Sequence, residues 1–163
     1  MGGFLAGTKL RQTAAAIYHA RYICTDSTST IATGASELVV SYSNAQTTSS
    51  LVTASGTGNS TFTLNAAGIW FIECCIRVNY VTVPTSGNIF YYAYVVASSL
   101  QVGGDTISYP IYNEAFPQTR ILRAFNAGDQ IQTRIRNSSS NILHMSSASS
   151  ESAHISFTRL QST

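Results

Sequence analysis

Apolar and polar residues alternate along much of this chain, and the clearest alternation covers residues 69–81. The even positions there are all apolar or aromatic: Trp70, Ile72, Cys74, Ile76, Val78 and Tyr80. The odd positions include Glu73, Arg77 and Asn79. A period of two is typical of a β-strand with one buried face and one wet face. The pattern therefore predicts a long strand whose even positions face the core.

Further strands follow from the same pattern. Residues 89–97 are apolar or aromatic at both parities, which predicts a strand covered on both faces. Residues 119–125 and 130–136 flank an Asn-Ala-Gly-Asp turn and predict a hairpin with Ile131, Thr133 and Ile135 inward. Shorter strands are predicted at 20–24, 37–42, 61–65 and 153–160. Many short strands separated by turns predict an all-β fold, an antiparallel jelly-roll β-sandwich.

Two stretches rich in Ser, Thr, Asn and Gly, residues 43–60 and 137–152, are expected to be exposed connections. The second contains an apolar island, Ile142 to Met145. We interpret the island as a short edge strand with Ile142 and Leu143 inward. The alternative is that His144 and Met145 contact a partner.

Composition excludes several classes of protein. Only 10% of residues are charged, against about 25% in ordinary soluble domains. The 23 serines and 19 threonines disfavour helical bundles. The chain has one lysine and a net charge of +2 without a basic patch, so no nucleic-acid partner is expected. No apolar run approaches the ~20 residues of a membrane span, and the first ten residues do not resemble an export signal. We therefore expect an unexported or self-assembling protein without membrane insertion.

Catalytic and metal-binding motifs are not apparent in the sequence. The seven acidic residues are dispersed, and no Gly-x-Ser-x-Gly motif occurs. The three cysteines, Cys24, Cys74 and Cys75, are expected to be reduced structural thiols. Asp105 and Asp129 are interpreted as turn residues rather than calcium ligands. We expect no enzyme activity, no cofactor and no metal.

The aromatic strand over 89–97 offers the most distinctive candidate site. A strand that is apolar on both faces often has one face in the core and the other at a subunit interface. We therefore predict a trimer interface made by Phe90, Tyr91, Tyr92, Tyr94 and Val95. The alternative is a carbohydrate pocket lined by the four aromatic residues, since flat rings and hydroxyls suit sugars.

Three segments resemble the globular heads of the complement and tumour necrosis factor (TNF) superfamily. They are Phe62 followed by Gly68-Ile69-Trp70-Phe71, the Gly-Asp turn within residues 125–131, and the closing strand of residues 154–160. The resemblance covers roughly residues 35–161. It implies a TNF-like jelly roll that acts as a binding module, and we expect a homotrimer.

The N-terminus points to a different setting. Residues 4–11, followed by small residues and Ile17-Tyr18, are similar to the opening of many small structural proteins of tailed bacteriophages. We divide the chain into an anchoring arm, residues 1–20, and a head, residues 21–163. The anchoring residues are expected to be Phe4, Leu5, Leu10, Ile17 and Tyr18.

The expected function is that of a non-enzymatic virion structural protein whose arm binds capsid or tail proteins. It decorates the capsid, or it forms part of the tail tip or fibre, where a host-surface glycan is a candidate partner. The alternative is a soluble ligand of the TNF or complement-head type that binds a receptor or a carbohydrate.

Overall fold

The computed structural model describes residues 18–34, 36–80, 82, 85–108, 114–146 and 153–161, most of which lie in antiparallel strands. The strands are β1 Tyr18–Ile23, β2 Thr30–Ile31, β3 Ser36–Val39, β4 Asn44–Thr47, β5 Val52–Ser55, β6 Thr61–Leu64, β7 Gly68–Cys75, β8 Val78–Tyr80, β9 Asn88–Val95, β10 Leu100–Ser108, β11 Glu114–Ala115, β12 Gln118–Phe125, β13 Gln130–Asn137, β14 Leu143–Met145 and β15 His154–Gln161. One 3-10 turn, Val96–Ser98, follows β9. In the described residues, no helix is long and apolar enough to span a membrane.

Three sheets organise these strands. The five-stranded sheet has the order β12-β7-β15-β1-β4. The six-stranded sheet has the order β10-β9-β13-β6-β5, with β3 also paired to β13, and the four-stranded sheet has the order β11-β8-β14-β2. Neighbouring strands come from distant parts of the chain, as when β15 lies between β7 and β1. Such long returns across a sandwich are typical of a jelly roll.

One hydrophobic core is shared by the three sheets. Trp70 and Phe157 enter it from the five-stranded sheet, Phe62 from the six-stranded sheet and Leu143 from the four-stranded sheet. The rings of Phe62 and Phe157 lie 5.0 Å apart between centroids. Each large apolar side chain buried in this way stabilises the fold by about 1.5–3 kcal/mol.

The strand predicted over residues 69–81 is divided in two. After Cys75 the chain leaves the five-stranded sheet as β7 ends, and it enters the four-stranded sheet as β8. All six even positions predicted to face inward are nonetheless buried. The alternation continues across the change of sheet because both sheets cover the same core.

The predicted hairpin over residues 119–136 is wrong in its pairing. β12 pairs with β7, whereas β13 pairs with β9, so the two strands lie in different sheets. The turn between them contains Gly128 at φ +91°, a conformation that favours glycine. The Gly128 amide donates to the carbonyl of Leu64 at 2.7 Å, which ties the turn to β6. The inward positions of β13 are buried as expected.

The Ser- and Thr-rich stretches contain more structure than expected. Residues 43–60 include β4 and β5, and β10 was not anticipated at all. β14 lies between β8 and β2, so it is not an edge strand. Leu143 and Met145 are its buried residues, while Ile142 is 50% exposed, which corrects the expectation that Ile142 packs inward.

Candidate functional site on the six-stranded sheet

Strand β9 distributes the five predicted interface residues over both faces of the six-stranded sheet. Tyr91 and Val95 belong to the buried core. Phe90, Tyr92 and Tyr94 lie on the opposite, outer face, because successive side chains of a strand point to opposite sides. The interface prediction is therefore corrected for Tyr91 and Val95, which are buried within their own subunit.

The inward residue Tyr91 takes part in a buried hydroxyl cluster. Its hydroxyl hydrogen-bonds to that of Tyr42 at 2.7 Å, and Tyr42 hydrogen-bonds to the Thr133 hydroxyl at 2.8 Å. Burial raises the pKa of both tyrosines well above the ordinary value. The three hydroxyl groups are hydrogen-bonded to one another inside the core, as buried polar groups usually are. We therefore interpret the cluster as part of the packed core and not as a functional site.

The outer face of β9 is covered by arginines from β13. Register places Arg134 opposite Tyr92 and Arg136 opposite Phe90. The Arg134 guanidinium lies 4.9 Å from the centroid of the Tyr94 ring, and the Arg136 guanidinium lies 4.9 Å from that of Phe90. Cation–π contacts of this kind contribute about 0.5–1 kcal/mol each at exposed positions. The outer rings are thus packed against charged groups of the same subunit.

Glu37 on β3 fixes one of these arginines. Its Oε2 atom accepts a hydrogen bond from Arg134 Nη1 at 3.3 Å, and its Oε1 atom accepts one from the Tyr92 hydroxyl. Burial, followed by the hydrogen bond to Glu37, raises the pKa of Tyr92. Tyr92 therefore remains a hydrogen-bond donor at physiological pH.

A pocket of about 310 Å³ lies beside these rings, with β10 as its other wall. Gly104 pairs with Tyr92 across the two strands. A Cβ atom at Gly104 would lie 3.2 Å from the Tyr92 Cβ and 2.8 Å from Gln101 Nε2. The chain therefore packs closely at Gly104, and Gln101 and Thr106 supply polar groups to the lining of the pocket.

Arg136 is the cation of this pocket without a carboxylate partner. Among the described residues it forms no ion pair, although Glu37 lies opposite it on β3. Its guanidinium lies over the Phe90 ring, and its buried Nε atom has no hydrogen-bond acceptor. Sequence analysis did not single out Arg136, Arg134, Glu37 or Gly104. The available signal was the polar parity of β13, but only the register with β9 shows that these arginines cover aromatic rings.

The five-stranded sheet presents a different outer face. We call its apolar end the Leu122 patch, made by Ile69, Phe71, Leu122, Ala124 and Leu160. Leu122 is 64% exposed and Leu160 is 52% exposed. Register places Leu122 directly opposite Phe71. Sequence analysis missed this surface. The available signal was that Leu122 shares its parity along the strand with the polar residue Arg120, which predicts that both side chains point outward.

The other end of that outer face is polar. Glu73 accepts a hydrogen bond from Arg120 Nε at 2.7 Å, and His154 Nε2 lies 3.8 Å from Glu73 Oε2. The hydrogen bond from Arg120 lowers the pKa of Glu73. An ionised carboxylate is thus held between two cationic or titratable neighbours.

The predicted anchoring arm lies mostly outside the described residues, including Phe4, Leu5, Leu10 and Ile17. Tyr18 is the first residue of β1 and pairs with Arg159 of β15. The first three residues of β1 therefore fall within the segment assigned to the arm.

Among the described residues, Cys24, Cys74 and Cys75 form no disulfide. Burial raises the pKa of Cys74 to about 12 and that of Cys75 to about 11, so both thiols are protonated at neutral pH. Cys75 lies on the outer face and is only half-buried. The strand parity of Cys74 and Cys75 thus follows the expectation.

The acidic candidates bind backbone amides. Asp129 Oδ2 accepts from the Asn126 amide at 2.8 Å, and Asp105 Oδ2 accepts from the Gln118 amide at 3.2 Å. Within the part of the chain that the structure describes, no three His, Cys, Asp or Glu side chains are placed to hold a metal ion. His144 is half-buried in β14.

Solved structures of the TNF family share this fold. Murine APRIL at pH 5.0 superposes with a TM-score of 0.63 and 11% identity, over 88% of this chain and 99% of that one. Eiger TNF from S. frugiperda gives a TM-score of 0.60 and 12% identity, over 90% of this chain and 94% of that one. No protein-family model matches the sequence, and no curated protein matches it either. The fold is therefore a TNF-like antiparallel jelly-roll β-sandwich.

Proposed function

We propose that this chain is a non-enzymatic structural protein of a virus particle, in which the jelly roll forms a homotrimeric head on the particle surface. The observation that carries the self-association is the Leu122 patch, because it places uncovered apolar side chains on the outer face of the five-stranded sheet. Contiguous exposed apolar surface of this kind marks interaction sites on soluble proteins.

A second and third copy of the chain are the occupants that we assign to the Leu122 patch. The TNF-like fold supports this assignment together with the sequence resemblance that led us to expect a trimer. The Arg120–Glu73 pair borders the patch and gives it a polar rim, as is usual for protein interfaces. Burying one leucine side chain contributes about 1.5–3 kcal/mol.

The β9 face is a weaker candidate for the subunit contact than we predicted from sequence. That prediction assumed that one face of the strand, either Tyr91 and Val95 or Phe90, Tyr92 and Tyr94, would otherwise face water. Tyr92 is only 7% exposed, and arginines cover the rings of the other two. A neighbouring subunit would bury less new apolar area here than on the Leu122 patch.

Two sequence features support the virion setting: the low charged fraction of 10% and the phage-like opening of the chain. We assign attachment to residues 1–17, whose apolar side chains would be buried against a capsid or tail protein. Capsid decoration and a tail-tip or fibre position are the two alternatives for the site of attachment.

A soluble receptor- or carbohydrate-binding ligand is the second candidate function. The similarity of the fold to APRIL and Eiger TNF favours it. A ligand of this type would not be enriched in purified particles, which separates the two candidates.

Purified particles assembled with a variant lacking residues 2–17 test the proposal. This deletion leaves β1 complete. We expect the full chain to be present in the particles and the truncated chain to remain a folded trimer in solution but to be absent from them. Absence of the full chain from particles would contradict the virion role, and normal incorporation of the truncated chain would contradict attachment through the arm.

A further inference from the structure

We propose that the pocket between β9, β10 and β13 binds a saccharide that carries a carboxylate group. The proposed carboxylate partner is Arg136, and the proposed hydroxyl partners are Gln101 and Thr106. Gly104, opposite Tyr92, belongs to the lining of the pocket that the sugar ring would occupy.

The first support is the orientation of Arg136. Stacking over Phe90 at 4.9 Å holds the plane of the guanidinium, and the buried Nε atom has no acceptor among the described residues. The terminal nitrogens are then the donors left for a ligand. A guanidinium held in this way binds a carboxylate through two parallel hydrogen bonds.

The second support is the distribution of charge around the pocket. Glu37 and Asp105 both border it. Glu37 is engaged by Arg134 and by the Tyr92 hydroxyl. Asp105 on β10 lies directly opposite the inward-facing residue Tyr91 on β9, and its carboxylate accepts a hydrogen bond from the Gln118 amide. Both carboxylates therefore have donors of their own. Arg136 lies opposite Glu37 in register but, among the described residues, forms no ion pair with it, so its guanidinium is the charged group of the lining that a carboxylate ligand can engage.

The third support is the size and composition of the pocket. Its volume of about 310 Å³ is at the small end of the range for ligand sites, roughly 300–1,000 Å³, which suits one sugar ring. The Tyr92 and Tyr94 rings border the pocket and meet edge to face with centroids 4.8 Å apart. A mainly polar lining beside aromatic rings matches a molecule that has many hydroxyl groups and some C–H surface.

The pocket requires neither a trimer nor a virus particle, because one chain supplies all of its residues. It also lies on the outer face of the six-stranded sheet, away from the Leu122 patch. Sugar binding can therefore fail while the proposed self-association holds, and the reverse is also true.

The test is saturation-transfer NMR and calorimetric titration of the full chain with glucuronic acid, N-acetylneuraminic acid and the neutral sugar glucose, each up to about 20 mM. The variants are Arg136→Gln and Arg136→Lys. The matched control is Arg123→Gln, because Arg123 also lies over an aromatic ring, Phe125, but on the five-stranded sheet. Circular dichroism and solution mass, measured on each sample, establish that the variants fold and assemble as the wild type does.

We expect saturable binding of at least one acidic sugar and none of glucose. Arg136→Gln should weaken that binding by roughly tenfold, Arg136→Lys should weaken it less, and Arg123→Gln should leave it unchanged. If Arg136→Gln does not fold, Thr106→Ala provides the test, since it removes a proposed hydroxyl partner and should weaken binding. Absence of saturable binding, equal binding of glucose, or equal loss in Arg123→Gln would overturn the proposal.

Discussion

The apolar side chains on the outer faces of the two main sheets differ in how far they are covered by neighbouring side chains. On the six-stranded sheet, Phe90 and Tyr94 are covered by arginine side chains of the neighbouring strand. On the five-stranded sheet, Leu122 projects from β12 and is 64% exposed. Aromatic residues at both parities of a strand therefore do not by themselves indicate a subunit interface. The side chains of the adjacent strand decide whether a face is already covered.

The largest expected effect distinguishes the two faces of β9. Tyr91→Ala should lower the free energy of unfolding by about 3–5 kcal/mol, because it removes a fully buried ring and a hydrogen-bond partner of Tyr42. Tyr94→Ala should cost only about 1 kcal/mol, because Tyr94 is half-exposed and loses mainly the contact with Arg134.

Urea denaturation of the two variants beside the wild type measures this difference. Tyr91→Phe serves as the intermediate case, since it keeps the ring and removes only the hydroxyl. Equal destabilisation by the two alanine substitutions would contradict the assignment of Tyr91 to the inner face and Tyr94 to the outer face.

Local alternation accounts for most of what could be predicted from the sequence. Residues 70–80 kept their parity even though the chain changed sheet, because burial depends on which side of each strand faces the core. The pairing of strands could not be predicted in this way. β12 and β13 are adjacent in sequence and separated by a short turn, yet they lie in different sheets, and the hydrogen bond from Gly128 to Leu64 ties the turn to β6.

The candidate site depended even more on long-range pairing. Phe90 and Arg136 are far apart in sequence and meet only through the register of β9 and β13. Gly104 has no distinguishing signal in the sequence, and its importance follows from its position opposite Tyr92. β4, within a polar stretch, is exposed along its whole length, so it lacks the alternation that reveals a strand.

Thiol labelling sharpens the comparison on the five-stranded sheet. Cys74 points into the core and Cys75 points to the outer face, near the polar end that borders the Leu122 patch. At pH 8 we expect slow labelling of both, because burial within the single chain already raises their pKa values to about 12 and about 11. In Leu122→Glu, which should dissociate the trimer, the pKa of Cys75 stays raised but a neighbouring subunit no longer covers the thiol. Cys75 should therefore label roughly tenfold faster than in the wild type, while Cys74 remains slow.

Mass spectrometry of labelled peptides follows each thiol separately. Cys24 is a second buried thiol and serves as an internal control for loss of structure. Equal acceleration at Cys24 and Cys75 would indicate unfolding instead of dissociation and would count against the proposed contact.

The smallest expected effect concerns the polar end of the same face. The hydrogen bond from Arg120 lowers the pKa of Glu73, so this carboxylate stabilises the folded state above its unfolded pKa and loses that contribution as the pH falls through the lowered value. Glu73→Gln should therefore cost less than about 1 kcal/mol at pH 6 and nothing at strongly acidic pH. Thermal unfolding of Glu73→Gln, Arg120→Gln and the double variant across this range measures the coupling, and a cost that persists in acid would contradict it.

The most direct test of the account is the solution mass of the full chain measured by light scattering at micromolar concentration. The wild type should have the mass of three chains. Leu122→Glu should reduce it to that of one chain, whereas Leu100→Glu, a change at a leucine that is 47% exposed on the six-stranded sheet, should leave the trimer intact. A monomeric wild type, or a trimer that survives Leu122→Glu and dissociates with Leu100→Glu, would contradict the assignment of self-association to the Leu122 patch.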